Sequence, residues 1–466
     1  QIFHTGFFPS IRHPLEVHGL LQPILALPLF LIGGPDDALM RIPSVVCAGA
    51  LAVMVYWGGK RLFGVVAGVV AAILIFTRSD VMFMGVLGLD DVGFALFAFG
   101  SMTCFAIGAH TAGGRAWFVM SGLFAALAAL EKLSGLALPA VFTAVLAVRP
   151  YARRNVGWRN WLYLILPCVP VLALYVLRNY RVYGTPGSAY GPIEWLGKDQ
   201  ISAYFAYYPD PPTTSEVFAQ LGHGRVLQLV LDELLQIWTE NRTDFLYLLG
   251  IPALVLTRKR NPLFPLTVLF FTPALLILVC VVHHVEQRYL SAYIPLFAVA
   301  IGGVASQVFE RLKERIPEAR RALFRGVSAA AALALLVFFS RAPAFTALLA
   351  SASMRREHEC MDAANYLRKA VDAAAPVLTA NPWFVSWETE RPAVLAPTNG
   401  DTALLEVVAR YKVDWAISGV ATLGMLNVAA ALDRPDVRAA LEPEVVFDGA
   451  VCDVYRFKKP HRSAGP

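Results

Sequence analysis

The sequence predicts a multispan α-helical membrane protein with a C-terminal extracytoplasmic α/β domain. Three observations predict it: an apolar composition, an uneven division of Lys and Arg between alternate connections, and a change of character near Ser351. Of the 466 residues, 57% are hydrophobic and 16% are charged, with a mean hydropathy of +0.55. Soluble domains average about 45–50% apolar and about 25% charged. A formal charge of +6 would suit nucleic acid, but the Lys and Arg cluster in short loops between apolar runs, as membrane orientation requires. The expected partner is therefore the lipid bilayer, and nucleic acid is not one.

The chain starts at Gln1, and no charged n-region with a cleavage site precedes the apolar part, so the expectation is a chain truncated at its start. Residues 1–40 hold an aromatic, polar lead and then LLQPILALPLFLIGG. That run is short for the ~20 residues of a spanning helix and contains Pro23 and Pro28, so it reads as an interfacial helix after an extracytoplasmic loop. Residues 41–348 read as a transmembrane domain of about ten spans. Their candidates are 41–58, 64–84, 91–110, 116–131, 135–148, 161–177, 243–257, 262–282, 288–306 and 326–345. The pair flanking Glu131 and Lys132 reads equally as a tight helical hairpin.

Orientation follows from the connections. One alternate set carries sixteen Lys and Arg, from Lys60 and Arg61 to Arg325, and the short loops of the other carry three, Arg78, Lys132 and Arg288. The first set is cytoplasmic by the positive-inside rule. Residues 1–40, Asp90 and Asp91, the Glu131 turn, the long loop 178–242, the HHVEQR loop and the tail then share the outer side.

Residues 349–466 read as a soluble extracytoplasmic domain. After an amphipathic helix come β-type runs at PVLTA, AVLAP, VDWAIS, EVVFDG and CDVYRF, with a helical pattern at DTALLEVVARY. Strands alternating with helices indicate a small α/β domain, and no GxGxxG or Walker-type loop gives it a nucleotide role. Cys47, Cys104, Cys168 and Cys280 fall in apolar spans and read as packed small residues. Cys360 and Cys452 both fall in the outer domain, either as a disulfide in an oxidising compartment or as two separate thiols.

No internal repeat is apparent, nor the inverted duplication of many secondary transporters. The 178–242 loop is rich in Tyr, Trp, Gly and Pro, which suits a carbohydrate or lipid headgroup, or an aromatic belt at the interface. The stretches RIPSVVCAGALAVMVYWGGKRLFG, LGLDDVGFALFAFG, GLFAALAALEKLSGL, LRNYRVYGTPG and EQRYLSAYIPLFAVAIGG, followed by an outer tail, resemble a known family in order and in expected side. That family is the GT-C superfamily of polyprenyl-phosphate-sugar glycosyltransferases, in the branch of protein O-mannosyltransferases and aminoarabinose transferases. The resemblance implies sugar transfer from a lipid-phosphate carrier to an acceptor hydroxyl on a glycan, lipid or protein outside the cytoplasm. It also implies a catalytic Asp-Glu pair ahead of the segment matching HGLLQP, upstream of Gln1. Where the family shows His-Pro-Pro, this chain has His18, Gly19 and Leu20.

Displacing a polyprenyl phosphate from an anomeric carbon needs a carboxylate for the acceptor's proton and cations for the leaving phosphate. Asp91 and Asp90 are the catalytic candidates, positioning the acceptor or binding a divalent cation; the competing role is capping of the following helix. Lys132 offers a point charge to a phosphate, against a structural ion pair or snorkelling. Arg288 and Tyr289 resemble the family's Arg-Tyr signature, and Arg178 and His18 complete the substrate-binding candidates. His283, His284 and Glu286 lack a zinc spacing, and Glu16 with His18 reads as interfacial. The alternatives in other classes are a transporter or flippase of lipid-linked sugars, and a membrane-anchored sensing or structural protein.

Overall fold

The computed structural model describes residues 21–34, 37–110, 114–148, 158–183, 191–200, 212–241, 244–277, 290–317, 360–389, 391–419, 426–449 and 451–458. Two compact units account for the chain: residues 17–178 with 230–350, and residues 1–16 with 179–229 and 351–466.

In the first unit, α1 (Leu21–Gly33) and α2 (Asp37–Phe63) are followed by α3 (Val65–Phe76) and α4 (Ser79–Val86). The sequence expects one span at 64–84, but these two helices are bent by 60°. The break falls at Arg78, whose extended backbone presents a guanidinium to two acids. It donates to Asp80 from Nε at 2.8 Å and, from Nη1, to both carboxylate oxygens of Asp244 at 2.9 and 2.7 Å. A charge so engaged cannot be carried into hydrocarbon.

Next come α5 (Asp90–His110), α6 (Arg115–Glu131), a 3-10 turn at Leu133–Leu136 and α7 (Ala137–Val148). Then follow α8 (Trp158–Ile165), α9 (Cys168–Tyr183), α10 (Gly191–Asp199), α11 (Thr214–Asn241), α12 (Phe245–Thr257), α13 (Leu263–Ile277) and α14 (Tyr293–Arg315), of which α10, the end of α9 from residue 179 and α11 up to residue 229 belong to the second unit. Among the described residues, the helical segments long and apolar enough to cross a membrane are Ala38–Phe63, Asp90–His110, Trp158–Leu177 and Tyr293–Arg315, with the bent α3–α4 pair as a fifth. Several other expected spans are shorter apolar helices, α7, α12 and α13 among them, and the candidate at 326–345 lies outside the described residues.

α5 is the axis of this unit. It packs against α2, α4, α6, α7, α13 and α14, and all its residues except Phe97 and His110 are buried. A helix apolar all round is what such a position selects. Lipid tails are as apolar as Leu, so helices in a membrane associate through close packing and interhelical hydrogen bonds. Both are present: Ser101 of α5 and Ser121 of α6 each donate to the other's carbonyl, at 2.8 and 2.9 Å.

In the tail, α15 (Met361–Ala370), β1 (Val377–Thr379), α16 (Pro382–Thr389), β2 (Ala393–Leu395), α17 (Asp401–Tyr411) and β3 (Trp415–Ile417) precede α18 (Val428–Leu432), α19 (Pro435–Leu441), β4 (Pro443–Phe447) and β5 (Val454–Phe457). Each of the five β-type runs in the sequence forms a strand. The sheet order is β2-β1-β3-β5-β4, parallel across β2, β1 and β3 and antiparallel beyond. Successive strand residues face opposite ways, so Leu378, Val394 and Ala416 pack with α17, α18 and α19, and Val377, Ala393 and Ile417 pack with α15 and α16. The result is a three-layer α/β/α arrangement.

Of the two readings of Cys360 and Cys452, the structure has the disulfide, with Cα atoms 5.3 Å apart across a sequence separation of 92. It ties the start of α15 to the entry of β5. Replacing both cysteines by Ala is expected to cost about 2–5 kcal/mol, since a cross-link closing a long loop restricts the unfolded chain. Heating followed by proteolysis of the tail should show a lowered midpoint; an unchanged midpoint contradicts this.

Candidate active site

The site forms where the turn after α4 delivers the chain into α5. Leu87 N–H donates to Phe83 O at 2.9 Å and Leu89 N–H to Met84 O at 3.0 Å, while Ser44 of α2 donates its hydroxyl to Leu89 O at 2.9 Å. The turn is thus pinned on both sides, and Asp90 and Asp91 fall in the first turn of α5, where the helix dipole favours negative charge. Both are buried, Asp90 at 5% exposure and Asp91 at 0%.

Lys132 comes to them from α6. Its backbone is extended (φ −141°, ψ 132°) and terminates that helix, and the 3-10 turn that follows closes against it, Gly135 N–H donating to Lys132 O at 2.8 Å. At Gly135 a side chain is impossible, because a Cβ there would lie 2.3 Å from Ala129 N. This tight return aims the ammonium at α5, where it forms an ion pair with Asp91 Oδ1 and stands 3.9 Å from Asp90 Oδ1. The Lys132 side chain is 14% exposed, so it lies nearer to water than Asp91.

The role of Glu131 is not legible in the sequence, where it reads as the neighbour of Lys132. The helix end sends the two side chains apart. Lys132 pairs with acids some forty positions earlier in the chain, and the Glu131 carboxyl lies against Gly93 of α5. A Cβ on Gly93 would stand 2.2 Å from Glu131 Oε1, so the bare glycine is the seat. Glu131 is fully buried, and neither carboxyl oxygen has a hydrogen-bond partner among the described residues. One signal was present in the sequence: Gly93 sits one turn beyond Asp90, facing the Ala-rich end of α6.

A third strand of chain joins here just before α14. Ser291 donates its hydroxyl to Asp91 O at 3.1 Å, and Tyr247 of α12 donates to Leu290 O at 3.3 Å. Asp90, Asp91 and Lys132 are therefore brought together. Arg288, Tyr289 and His18 lie outside the described residues, as do Glu16, His283, His284 and Glu286, and so does the side chain of Arg178 in α9. Arg78, with its guanidinium engaged by Asp80 and Asp244, joins α4 to α12. As for a divalent cation, no group of three or more His, Cys, Asp or Glu among the described residues is arranged to hold one. Lys132 already faces the aspartate pair.

Residues 18–176 match the sequence model of a family described as dolichyl-phosphate-mannose-protein mannosyltransferase. No curated protein matches the chain by sequence. Among solved structures, ArnT from Cupriavidus metallidurans in the apo state aligns over 100% of this chain and 92% of its own, with a TM-score of 0.58 and 14% identity. The same protein bound to undecaprenyl phosphate gives 0.55 at 14% identity, with the same coverage. The Archaeoglobus fulgidus oligosaccharyltransferase in complex with Zn and sulfate gives 0.53 at 14% identity, over 90% of this chain and 61% of its own. At such identity the likeness is one of fold, and the family match falls on the helices that build the Asp90, Asp91 and Lys132 cluster. Fold and partial family match agree: the chain is an integral membrane protein with the fold of these glycosyltransferases, and its residues 18–176 are similar to the mannosyltransferase family.

Proposed function

We propose that the chain transfers a sugar from a polyprenyl-phosphate donor to an acceptor hydroxyl on the extracytoplasmic face of the membrane. The observation that carries this reading is Lys132, a partly exposed ammonium held by two buried aspartates at the mouth of the central helix. The donor class is that of the undecaprenyl phosphate bound by ArnT and of the dolichyl phosphate-mannose in the matched family's description. The outer side is supported by the Lys and Arg asymmetry and by the Cys360–Cys452 disulfide, a bond that persists in oxidising compartments.

In this reading the acceptor oxygen attacks the anomeric carbon as its proton passes to a carboxylate. The bond from that carbon to the phosphate oxygen breaks, its electron pair leaving with the polyprenyl phosphate. Lys132 meets the negative charge that grows on the phosphate, and such preset charge is usually the largest contribution to lowering a barrier of this kind. Asp91 is fully buried behind Lys132, so its role here is to position the ammonium, with Asp90 assisting. Arg288, three residues before the Ser291 that bonds Asp91 O, is assigned to the phosphate as a bidentate donor, with Tyr289, Arg178 and His18 as further donor contacts.

Radiolabelled lipid-phosphate sugar presented to the protein in nanodiscs tests the reading. Label passing to an acceptor supports it. Label crossing the bilayer without transfer supports a flippase, and label that does neither supports a sensor.

Three substitutions are informative. Asp91→Asn should lower kcat/KM by about 10²-fold or more, equivalent to about 2.7 kcal/mol, with the fold retained by thermal melting; full activity would remove Asp91 from the site. Arg288→Ala should raise the donor Kd by about 10–100-fold, as expected for losing a charge-assisted contact of about 1.5–3 kcal/mol. An unchanged donor Kd would make Arg288 an interfacial anchor. Gly93→Ala should displace the Glu131 carboxyl and lower turnover, and adding Glu131→Ala should recover part of the loss; equal activity in all three proteins would show that this contact has no bearing on the site.

A further inference from the structure

α11 has 28 residues, a length of about 42 Å at 1.5 Å per residue, yet it is not among the helices apolar enough to cross a membrane. It breaks at Gly222, whose φ of 74° and ψ of 154° are not helical. Beyond that break its side chains sort into three faces at about 100° per residue. Leu229 and Glu233 are buried, and Val230 and Ile237 pack against the hydrophobic core. Beside this face runs an exposed apolar stripe: Leu227 at 61%, Leu231 at 55%, Leu234 at 37%, Leu235 at 59% and Trp238 at 62%. Beside that stripe lie Gln228, Asp232, Gln236 and Thr239, also exposed.

We propose that the stripe is a docking surface for the bilayer itself, and that this part of α11 lies along the membrane in the boundary between headgroups and acyl chains. A spanning helix that contacts both protein and lipid has no use for a third face of Gln, Asp and Thr. A helix in water has no use for five exposed Leu and Trp side chains in a row. A helix lying in the interface requires both.

The chain supplies the continuity. Three residues after α11, Asp244 caps α12 by accepting from Leu246 N–H at 2.8 Å while holding the Arg78 guanidinium. An ion pair of this kind marks the wet edge of the membrane. From there α12 presents Phe245, Leu248 and Leu249 outward, so the apolar stripe of α11 ends where the lipid-facing side of α12 begins. The contact is also not one for acidic headgroups in particular: Asp232 is exposed, and Arg225 is paired with Asp199 at 2.7 Å.

Site-directed spin labelling of the full chain tests this. In a background with Cys47, Cys104, Cys168 and Cys280 replaced by Ala, nitroxides are placed by Leu227→Cys, Gln228→Cys, Leu231→Cys, Asp232→Cys, Leu234→Cys and Trp238→Cys. Accessibility to oxygen and to a nickel chelate is then read in nanodiscs. We expect positions 227, 231, 234 and 238 at one common depth, about 5–10 Å below the phosphates, with positions 228 and 232 open to nickel. The depths should be the same in pure phosphatidylcholine and with added phosphatidylglycerol. A depth changing steadily by about 16 Å between positions 227 and 238 would make α11 a spanning helix and overturn the proposal, as would nickel access at every position. Hydroxyl-radical footprinting of the unaltered protein, one copy per disc, gives an independent reading. Leu231 and Trp238 should be protected despite their outward exposure, and oxidation at the rate of water-exposed side chains would overturn the proposal.

Discussion

The arrangement depends on one electrostatic constraint: two carboxylates stand at the buried end of a helix that is apolar for the rest of its length. An uncompensated carboxylate in such a place costs several kcal/mol or more. The fold meets this cost with the N-terminal dipole of α5 and with the ammonium of Lys132. The ammonium reaches the pair only if α6 ends at the level where α5 begins, and that requirement fixes the relative height of the two helices. The mutual bonds of Ser101 and Ser121 hold the same register further along. Removing either member of a buried pair is costly because the other is then left without its partner, so the cluster acts as a lock on the helix packing as well as a site.

The surrounding packing follows from what a membrane takes away. Without a hydrophobic gain between helices, contact must come from surfaces that approach closely. Small residues mark these places: a Cβ on Gly302 of α14 would lie 2.4 Å from Ala67 O of α3, and one on Gly68 of α3 would lie 2.4 Å from Tyr56 O of α2. Gly93 belongs to the same class, with the difference that the space it leaves is filled by a carboxyl group. Close approach in the spans therefore serves two ends, tight helix packing and the seating of an acid at the site.

Much of this was legible in the sequence because it rests on local signals. Asp90 and Asp91 announce a helix start by their place before VGFALF, and the five strands of the tail announce themselves by short β-branched runs between turns. DTALLEVVARY is helical from Asp401 to Tyr411. What the sequence did not disclose were relations between distant residues. The bend at Arg78 depends on Asp244, which lies far along the chain, so 64–84 reads as one span. Glu131 and Lys132 are neighbours in sequence and look like a pair, but the extended backbone of Lys132 separates them, and only the packing of α5 against α6 tells which acid each side chain meets. The union of Cys360 with Cys452 stood open for the same reason: spacing does not set the distance between two Cα atoms.

The charge balance of the cluster limits what it can do unaided. Asp90 and Asp91 contribute two formal negative charges and Lys132 one positive, a formal sum of −1 for the three side chains. A donor phosphate approaching Lys132 alone would meet an excess of acid at close range, where attraction and repulsion are of similar size. In the proposed transfer Lys132 would make one contact with the leaving phosphate, and further cations would have to face it from the side away from α5. The proposed source is Arg288, three residues earlier in the sequence than the Ser291 that donates to Asp91 O. An acid-rich wall opposed by arginine would hold a phosphate between them and weaken that hold once the sugar has left. In the proposed transfer the excess of acid, a liability for tight binding, would favour release of the product.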